Sequence, residues 1–373
     1  MSIHTRICEI LDIKYPILLA GMGGASTPEL AAAVSNAGGL GVLGAAACGP
    51  KQLRDWIRRT RELTDKPFGV DTLLPASVRR AAQTAHDDGP RPADQIPELK
   101  DFATQFMEEA GLEPMPAEER EARREPDGPP LFTPEFFDAQ MEVIIDERVP
   151  VYVSGLGNPG PWMERLKANG TRVGAVVGKV KHAIQVRQSG IDFIVAQGHD
   201  GGGHNSPIGT MALVPQVVDA VGDLPVLGAG GISDGRGVAA VMMLGAEGAW
   251  VGSAFLASDE SGILDFQKQA IVDASEDGTV VSRTVTGKPA RIIRSLWTEA
   301  WARAGREPLP MPWQGAISGP VLAAANRAGR GDINPGFAGQ GIGMIKKVRP
   351  AAEILEDIVF GTEQALKRSS NLF

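Results

Sequence analysis

Short apolar runs alternate along this chain with amphipathic stretches of about 10–15 residues, which is the pattern of βα units around a parallel sheet. Two segments indicate a weak internal repeat, because Gly190 and Gly245 each begin a run that passes through an acidic third residue into an apolar strand. Eight parallel strands with intervening helices predict an α/β fold, a (β/α)8 TIM barrel. The predicted strands are Tyr15–Ala20, Gly39–Leu43, Phe68–Asp71, Val149–Val153, Arg172–Val177, Asp192–Ala196, Leu224–Gly228 and Gly248–Gly252.

A proline-rich and strongly charged segment, residues 75–134, interrupts this alternation after the third strand. We expect short helices within it around Glu98–Ala110 and Ala117–Arg124, joined by extended proline segments. Loops that follow barrel strands leave from the C-terminal face, where TIM barrels carry their active sites. The insertion is therefore interpreted either as a solvated excursion or as a lid.

The regular alternation ends after Ser258. We interpret residues 259–373 as a helical extension packed on the barrel, with a docked helix over Pro350–Leu366. Its tryptophans suit either a core or a subunit interface, so a homodimer stays open. The predicted organisation is strands one to three in 1–74, the insertion in 75–134, strands four to eight in 135–258 and the extension in 259–373.

Composition and charge exclude several classes of protein. The 373 residues are 43% hydrophobic and carry a net charge of −8, which argues against a protein that binds nucleic-acid backbones. Two cysteines, Cys8 and Cys48, cannot form a disulfide framework, which favours a reducing compartment. The N-terminus lacks the apolar core of a signal peptide, and no run approaches the roughly 20 apolar residues of a membrane span. We expect a cytoplasmic protein with neither a nucleic-acid nor a membrane partner.

The segment after the sixth strand, Ala196-Gln-Gly-His-Asp-Gly-Gly-Gly-His204, is the most informative for chemistry. Three consecutive glycines at the mouth of a parallel strand let the backbone approach a ligand closely. An imidazole beside such a platform suits proton abstraction near neutral pH. Alternatively, His199 and His204 cap a tight turn, or they bind a metal with Asp200; the flexible glycines disfavour a metal site, and we assign none.

Two further glycine loops predict an anion site. Gly228-Ala-Gly-Gly-Ile-Ser-Asp-Gly-Arg236 follows the seventh strand and Gly252-Ser-Ala-Phe255 follows the eighth. The loops after these two strands of a TIM barrel commonly bind phosphate through backbone N–H groups. Ser253 would donate a side-chain hydrogen bond, and Ser233 or Asp234 would cap the next helix.

A third motif offers a competing interpretation. Gly155-Leu-Gly157-Asn-Pro-Gly160 fits the dinucleotide-binding pattern G-x-G-x-x-G after an apolar strand. No acidic residue lies between Thr171 and Gly190 to hold a ribose, and the unit is fourth in the series of strands, which argues against a Rossmann site. The similar turn Gly21-Met-Gly-Gly24 is better interpreted as a place where a planar ligand meets backbone.

Taken together, the motifs resemble those of a known enzyme family. Ala196-Gln-Gly-x-Asp-Gly-Gly-Gly-His204 is similar to the Q-G-x-E-A-G-G-H signature of the FMN-dependent nitronate monooxygenases, formerly called 2-nitropropane dioxygenases. The opening run 15–22, the loops 229–236 and 252–258, and the late run Gly339-Gln-Gly-Ile-Gly follow in the family's order. The resemblance covers nearly the whole chain apart from the insertion.

This resemblance implies a barrel that holds FMN noncovalently at its C-terminal face, with His204 as the catalytic base. Asp71 stands where many members have Asn after the third strand, and Asp200-Gly201 replaces Glu-Ala. A carboxylate at position 71 would sit badly near the flavin N1–C2=O edge, where reduction places negative charge. The implied cofactor-binding residues are Gly21, Met22, Asp71, Lys179, Gln197, Gly198 and Gly203 for the ring and Ala229, Gly230, Gly231, Gly252 and Ser253 for the phosphate.

The implied reaction is oxidation of an alkyl nitronate or nitroalkane by dioxygen to a carbonyl compound and nitrite. The first alternative is an NAD(P)H-dependent flavin reductase of the same superfamily, similar to the enoyl-acyl-carrier-protein reductases or the NADH:quinone reductases. A barrel that binds FMN or a phosphorylated metabolite without turnover is a second alternative, and a non-flavin isomerase is a third.

Overall fold

The eight predicted strands form one parallel sheet in the computed structural model, which describes residues 3–74, 96–116 and 128–370. The strands are β1 (Ile17–Leu19), β2 (Gly41–Gly44), β3 (Phe68–Leu73), β4 (Val151–Leu156), β5 (Arg172–Val177), β6 (Phe193–Gln197), β8 (Val226–Ala229) and β9 (Gly248–Val251). Their order around the sheet is β1-β9-β8-β6-β5-β4-β3-β2. The Leu19 amide donates to the Leu40 carbonyl and the Leu40 amide donates to the Ile17 carbonyl, which joins the two ends of the sheet. The sheet is thus closed, and the TIM-barrel prediction is confirmed.

Alternation of side chains along the strands divides the barrel core into two layers. In β1, Leu18 packs inside the barrel, whereas Ile17 and Leu19 pack outward against the helices. The inner layer includes Ile7 and Leu11 of α1 (Arg6–Leu11), so the N-terminal helix packs against the interior of the barrel. The C-terminal end of the strands lies opposite α1 and is contacted by other segments of the chain.

Helices surround the barrel at the positions predicted by the alternation. Local signals fix several of their ends: the Thr27 hydroxyl accepts the Leu30 amide at the start of α2, where Pro28 is the first residue. The barrel helices are α2 (Pro28–Asn36), α3 (Pro50–Leu63), α5 (Pro134–Asp146), α6 (Met163–Ala168), α7 (Val180–Arg187), α8 (Thr210–Val221), α9 (Gly235–Met243) and α10 (Ser253–Leu256). No helix within the described ranges is long and apolar enough to cross a membrane.

One helix of the insertion packs on the C-terminal extension. This helix, α4 (Ile96–Glu109), matches the prediction of a helix around Glu98–Ala110, while the predicted helix Ala117–Arg124 lies outside the described residues. Phe106 of α4 meets Trp297 edge-on at 5.1 Å between ring centroids, and Phe102 meets Trp301 at 5.1 Å. Both tryptophans are therefore core residues, whereas Trp313 is 42% exposed.

The extension after Ser258 is not purely helical, in contrast to the sequence prediction. It contains α11 (Asp265–Asp273), α12 (Leu296–Ala304), α13 (Gly315–Arg327) and α14 (Ala351–Ser370), together with two strands, β10 (Thr279–Ser282) and β11 (Ala290–Ile293). These strands form an antiparallel sheet with β7 (Gly203–His204), in the order β10-β11-β7. These strands escaped prediction because each has only four residues, β10 is only partly buried, and their pairing partner β7 is distant in the sequence.

The C-terminal helix α14 packs on α9 so closely that glycine is required at the crossing. A Cβ atom added to Gly235 would lie 2.1 Å from the amide nitrogen of Thr362 and 2.4 Å from the carbonyl carbon of Gly361. These are backbone atoms, so the clash cannot be relieved by rotating a side chain.

Substituting Gly235→Ala is therefore expected to destabilise the protein, by about 2 kcal/mol or more, because α14 must move away from α9. The matched control is Gly319→Ala in the exposed face of α13, where an added Cβ meets no atom within 4 Å beyond its own helix, so a much smaller loss of stability is expected, caused by the following Pro320. Thermal unfolding of both variants followed by circular dichroism tests this; equal melting temperatures would contradict the close packing.

Candidate active site

The C-terminal ends of the barrel strands open into a cavity of about 1070 Å³. The extension forms its other wall, through residues that include Ile293, Trp297, Leu322 and Phe337. The residues predicted from the sequence that line this cavity are Gly21, Met22, Asp71, Gln197, Gly203, His204, Ala229, Gly230, Gly231, Gly252 and Ser253. Residues from six separate loops or strand ends are thereby brought to one place.

Gly198 and Lys179 are not among the residues that line the cavity. The Gly198 amide donates to the Ala229 carbonyl, and a Cβ at this position would lie 2.3 Å from the Thr210 hydroxyl oxygen. The close packing of Thr210 against Gly198 thus requires glycine at this position. Lys179 precedes α7 as its N-terminal cap residue.

His204 lies on β7, and hydrogen bonds hold both its backbone and its ring. The β7–β11 pairing aligns His204 with Ala290, and the Gln197 side-chain amide donates to the His204 carbonyl at 2.9 Å. The ring nitrogen Nε2 lies 2.9 Å from the Thr286 hydroxyl oxygen. That hydroxyl also accepts the Lys288 amide at 3.3 Å, so the turn after β10 positions the imidazole.

Burial determines the charge of this imidazole. The loss of solvent lowers the pKa of His204 to about 4, and the nearby Lys288 ammonium group acts in the same direction. At neutral pH the ring is therefore uncharged. An uncharged imidazole in a cavity is able to accept a proton from a bound ligand.

The loop between β6 and β7 is fixed by a buried arginine. Arg291 of β11 is 4% exposed, and its Nε and Nη2 atoms donate to the His199 carbonyl at 3.2 and 3.1 Å. Its Nη1 atom donates to the Thr279 hydroxyl at 3.1 Å. Burial lowers the pKa of Arg291, an effect that the carboxylate of Asp200 opposes.

His199 and Asp200 have partners within the loop. The Nδ1 atom of His199 lies 2.9 Å from the Ser206 carbonyl, and Asp200 accepts the Thr210 amide at 2.8 Å where α8 begins. Across residues 3–74, 96–116 and 128–370, no group of three or more His, Cys, Asp or Glu side chains is arranged to hold a metal ion.

The two predicted phosphate loops lie side by side and are covered by a third glycine segment. Gly230 and Gly231 have φ angles of +101° and +73°, which favour glycine, and Asp234 caps α9 as predicted. The Ser253 hydroxyl accepts the Gly339 amide at 2.8 Å. A Cβ on Gly341 would lie 2.3 Å from the Ser233 hydroxyl oxygen, so the late run of glycines packs directly on the phosphate loops.

The Gly155–Gly160 motif belongs to the barrel rather than to a dinucleotide site. It begins within β4, the neighbour of β3 and β5 in a closed sheet, whereas the Rossmann fold is an open one. Gly155 lines the cavity, and a Cβ there would lie 2.5 Å from Oδ1 of Asp71. The Rossmann alternative is therefore wrong, and the first glycine of the motif makes room for the Asp71 carboxyl.

Several residues of the site were not predicted from the sequence. Thr286 lies 82 residues after His204, and Arg291 lies 92 residues after His199. Trp297 lies in a helix of the extension. No local motif marks any of the three. Their roles depend on the β7–β11 pairing. The late glycine run was noted in the sequence, but its place beside the phosphate loops was not predicted.

Comparison with known proteins identifies the family. The model of the family described as nitronate monooxygenase matches residues 4–361. The chain belongs to the nitronate monooxygenase family. This membership makes the protein a nitronate-monooxygenase-like flavin oxidoreductase and agrees with the resemblance found in its motifs.

Two relatives of this nitronate monooxygenase family member match nearly end to end. A provisionally named monooxygenase from Mycobacterium tuberculosis is 37% identical over 366 residues, which are 95% of this chain and 96% of the relative. A probable nitronate monooxygenase from Staphylococcus saprophyticus is 33% identical and covers 99% of this chain and 100% of the relative.

Two solved structures show the same fold. The nitroalkane oxidase from Streptomyces ansochromogenes superposes with a TM-score of 0.78 at 31% identity, covering 97% of this chain and 99% of that one. FabK from Thermotoga maritima superposes with a TM-score of 0.75 at 32% identity, covering 100% of both chains. Both likenesses cover the extension as well as the barrel.

The lowered pKa of His204 predicts how stability depends on pH. The unfolded chain binds a proton on this imidazole near pH 6.5 and the folded protein only near pH 4, so acid favours unfolding between these values. Relative to a His204→Gln variant, the protein is expected to lose about 3 kcal/mol of stability between pH 6.5 and 4.

Urea unfolding at several pH values measures this difference, with His4→Gln at an exposed position as the control. If the His204→Gln variant and the unsubstituted protein lose the same stability between pH 6.5 and 4, His204 is not buried as a neutral ring.

Proposed function

We propose that the protein binds FMN in the barrel mouth and oxidises alkyl nitronates or nitroalkanes with dioxygen, giving a carbonyl compound and nitrite, with His204 as the base. The observation that carries this proposal is an uncharged, oriented imidazole on the wall of a cavity whose remaining walls are glycine loops. Membership of the nitronate monooxygenase family supports it.

The residues of the cavity fit this cofactor. The positive φ angles of Gly230 and Gly231 expose backbone where a side chain would otherwise stand, and Gly252 and Ser253 lie beside them, so these loops would hold the phosphate. Gly21, Met22, Gln197 and Gly203 line the part of the cavity that would hold the ring. Bound FMN would supply the electron-accepting chemistry, and the protein would supply orientation and a site with little water.

The role of His204 is to remove the acidic α-proton of a nitroalkane. The ring is neutral at pH 7, so it has a lone pair to receive that proton. The bond between Nε2 and Thr286 fixes the plane of the ring, and hence the direction of its second nitrogen. A nitronate supplied as the anion has already lost this proton, so its oxidation does not require the base.

The second candidate is an NAD(P)H-dependent flavin reductase of the same superfamily. One observation favours it: the cavity continues past His204 to Leu322, Ala323 and Asn326 of α13, which gives room for a larger substrate than a short nitronate. The likeness to FabK is as extensive as the likeness to the nitroalkane oxidase, so the comparisons do not separate the two reactions.

Absorption spectroscopy separates the candidate functions. We expect the purified protein to show flavin bands, which bleach when it is mixed anaerobically with a nitronate and do not bleach with NADH. Bleaching by NADH alone would favour the reductase. If the protein binds no flavin even after reconstitution, both functions are wrong and the non-flavin isomerase is favoured. If the protein binds flavin but turns over no substrate, the barrel that binds FMN without catalysis is favoured.

Replacing the proposed base is expected to separate two substrates. His204→Ala should lower kcat/KM for a neutral nitroalkane by about 10²-fold or more, because a positioned base contributes about that factor. The same variant should retain most of its activity on the preformed nitronate. Nitrite release with each substrate measures the ratio, and an equal loss on both would show that His204 binds the substrate anion rather than taking its proton.

The Thr286 hydroxyl is expected to act through His204. Thr286→Val removes the hydrogen bond at nearly constant volume and should lower nitroalkane turnover by roughly tenfold, because the imidazole loses its fixed orientation. Thr286→Ser keeps the hydroxyl and is the matched control. Steady-state kinetics of both variants decide the point, since equal rates would exclude a positioning role.

A further inference from the structure

Asp71 places a carboxyl group in the wall of the cavity. It lies on β3, paired with Gly44 of β2 and Val153 of β4, and it is 7% exposed. A Cβ on Gly21 would lie 2.2 Å from the Asp71 Cβ, and a Cβ on Gly155 would lie 2.5 Å from its Oδ1. Two glycines, one after β1 and one near the end of β4, thus leave a space that this side chain occupies.

The carboxyl group is left with an unused oxygen. Oδ1 is buried and has no hydrogen-bond partner among the described residues. A buried ionised carboxylate without partners is strongly unfavourable, because the charge loses its hydration. An oxygen that remains unpaired in the wall of a binding cavity is one that a bound ligand can pair with.

The surroundings of Asp71 offer little to favour ionisation. β2 and the turn at Gly21–Gly24 contribute no titratable side chain, and β4 contributes Tyr152, whose hydroxyl lies 3.0 Å from that of Thr72. Within the described part of the chain, the backbone amide of Gly155 is the one influence that stabilises the charged form. Burial outweighs it and holds the pKa of Asp71 well above its usual value.

We propose that Asp71 remains a neutral carboxylic acid in the folded protein and donates its proton in a hydrogen bond to an acceptor atom of the bound flavin ring. A neutral carboxyl group has one O–H donor and one C=O acceptor, as an Asn side chain has an N–H donor and a C=O acceptor, whereas a carboxylate has acceptors alone. A carboxylic acid kept neutral by an apolar site is an established way to place a donor in an active site. The inference rests on the proposed binding of FMN.

The position of β3 in the barrel supports the choice of ring rather than phosphate as the partner. In the closed order of eight strands, β3 lies opposite β8, whose loop carries Gly230 and Gly231. A cofactor with its phosphate at these glycines would cross the barrel mouth toward β3. A donor at that end favours the reduced ring, where negative charge develops at N1–C2=O, while a carboxylate would repel it.

Infrared spectroscopy tests the protonation state without cofactor. The difference spectrum between the apoprotein and its Asp71→Asn variant at pH 7 is expected to show the loss of one carbonyl stretch of a protonated carboxylic acid. Asp146→Asn, at a surface position beside Arg54, is the control and should show the loss of carboxylate bands. Loss of carboxylate bands in the Asp71→Asn variant would overturn the proposal.

Unfolding experiments test the same state independently. A group with a raised pKa in the folded protein contributes stability that is present below the unfolded value, near pH 3.8, and is lost as the pH rises through the folded value. The unsubstituted apoprotein should therefore lose stability relative to Asp71→Asn as the pH increases from 4 to 8. A constant difference across this range would contradict a neutral acid.

FMN binding tests the contact with the flavin. Titration of the apoproteins, followed by quenching of flavin fluorescence at pH 7, should give similar affinities for the unsubstituted protein and Asp71→Asn, and about tenfold weaker binding for a folded Asp71→Ala variant. Equal affinity of Asp71→Ala would overturn the contact. If the unsubstituted protein itself fails to bind FMN, the proposed function and the flavin contact fail together, while the infrared result still decides whether Asp71 is neutral.

Discussion

The antiparallel pairing of β7 with β11 is the interaction on which the candidate site depends. In the glycine loop, Gly203 pairs with Arg291 and His204 pairs with Ala290 of the C-terminal extension. The pairing attaches the extension to the mouth of the barrel and brings Thr286 to the imidazole. Without it, the histidine would lie on a flexible glycine loop, and the cavity would lack the wall that the extension provides.

Glycine has a steric role throughout this site. The phosphate loops, the loop after β6 and the late run 339–343 approach one another so closely that a Cβ on Gly202 would lie 2.7 Å from the Ala338 carbonyl carbon, and one on Gly341 would meet Ser233. Such contacts between backbones leave little freedom for movement. The glycine-rich composition of these segments is thus explained by mutual packing as well as by access for a cofactor.

One physical cause, loss of solvent, acts on two ionisable groups of the cavity wall. It disfavours the imidazolium form of His204 and the carboxylate form of Asp71. The pKa of the histidine is therefore lowered and the pKa of the aspartic acid is raised, and both changes favour the neutral state. A neutral base and a neutral acid then share a single cavity near pH 7. This arrangement suits chemistry in which the substrate or cofactor, rather than the protein, carries the negative charge.

The sequence alone determined the barrel, because its signals are local. Each strand needs an apolar run to be buried, and the eight runs, their spacing and the glycines that end them can be recognised in the sequence. The sequence also predicted which loops meet at the cavity, since eleven of the thirteen predicted residues line it. Tertiary structure alone decided the placing of β10 and β11, the partnership of Thr286 with His204 across 82 residues and the anchoring by Arg291 across 92 residues. It likewise decided the neutral state of the two titratable groups, because desolvation arises only when segments distant in the chain exclude water together.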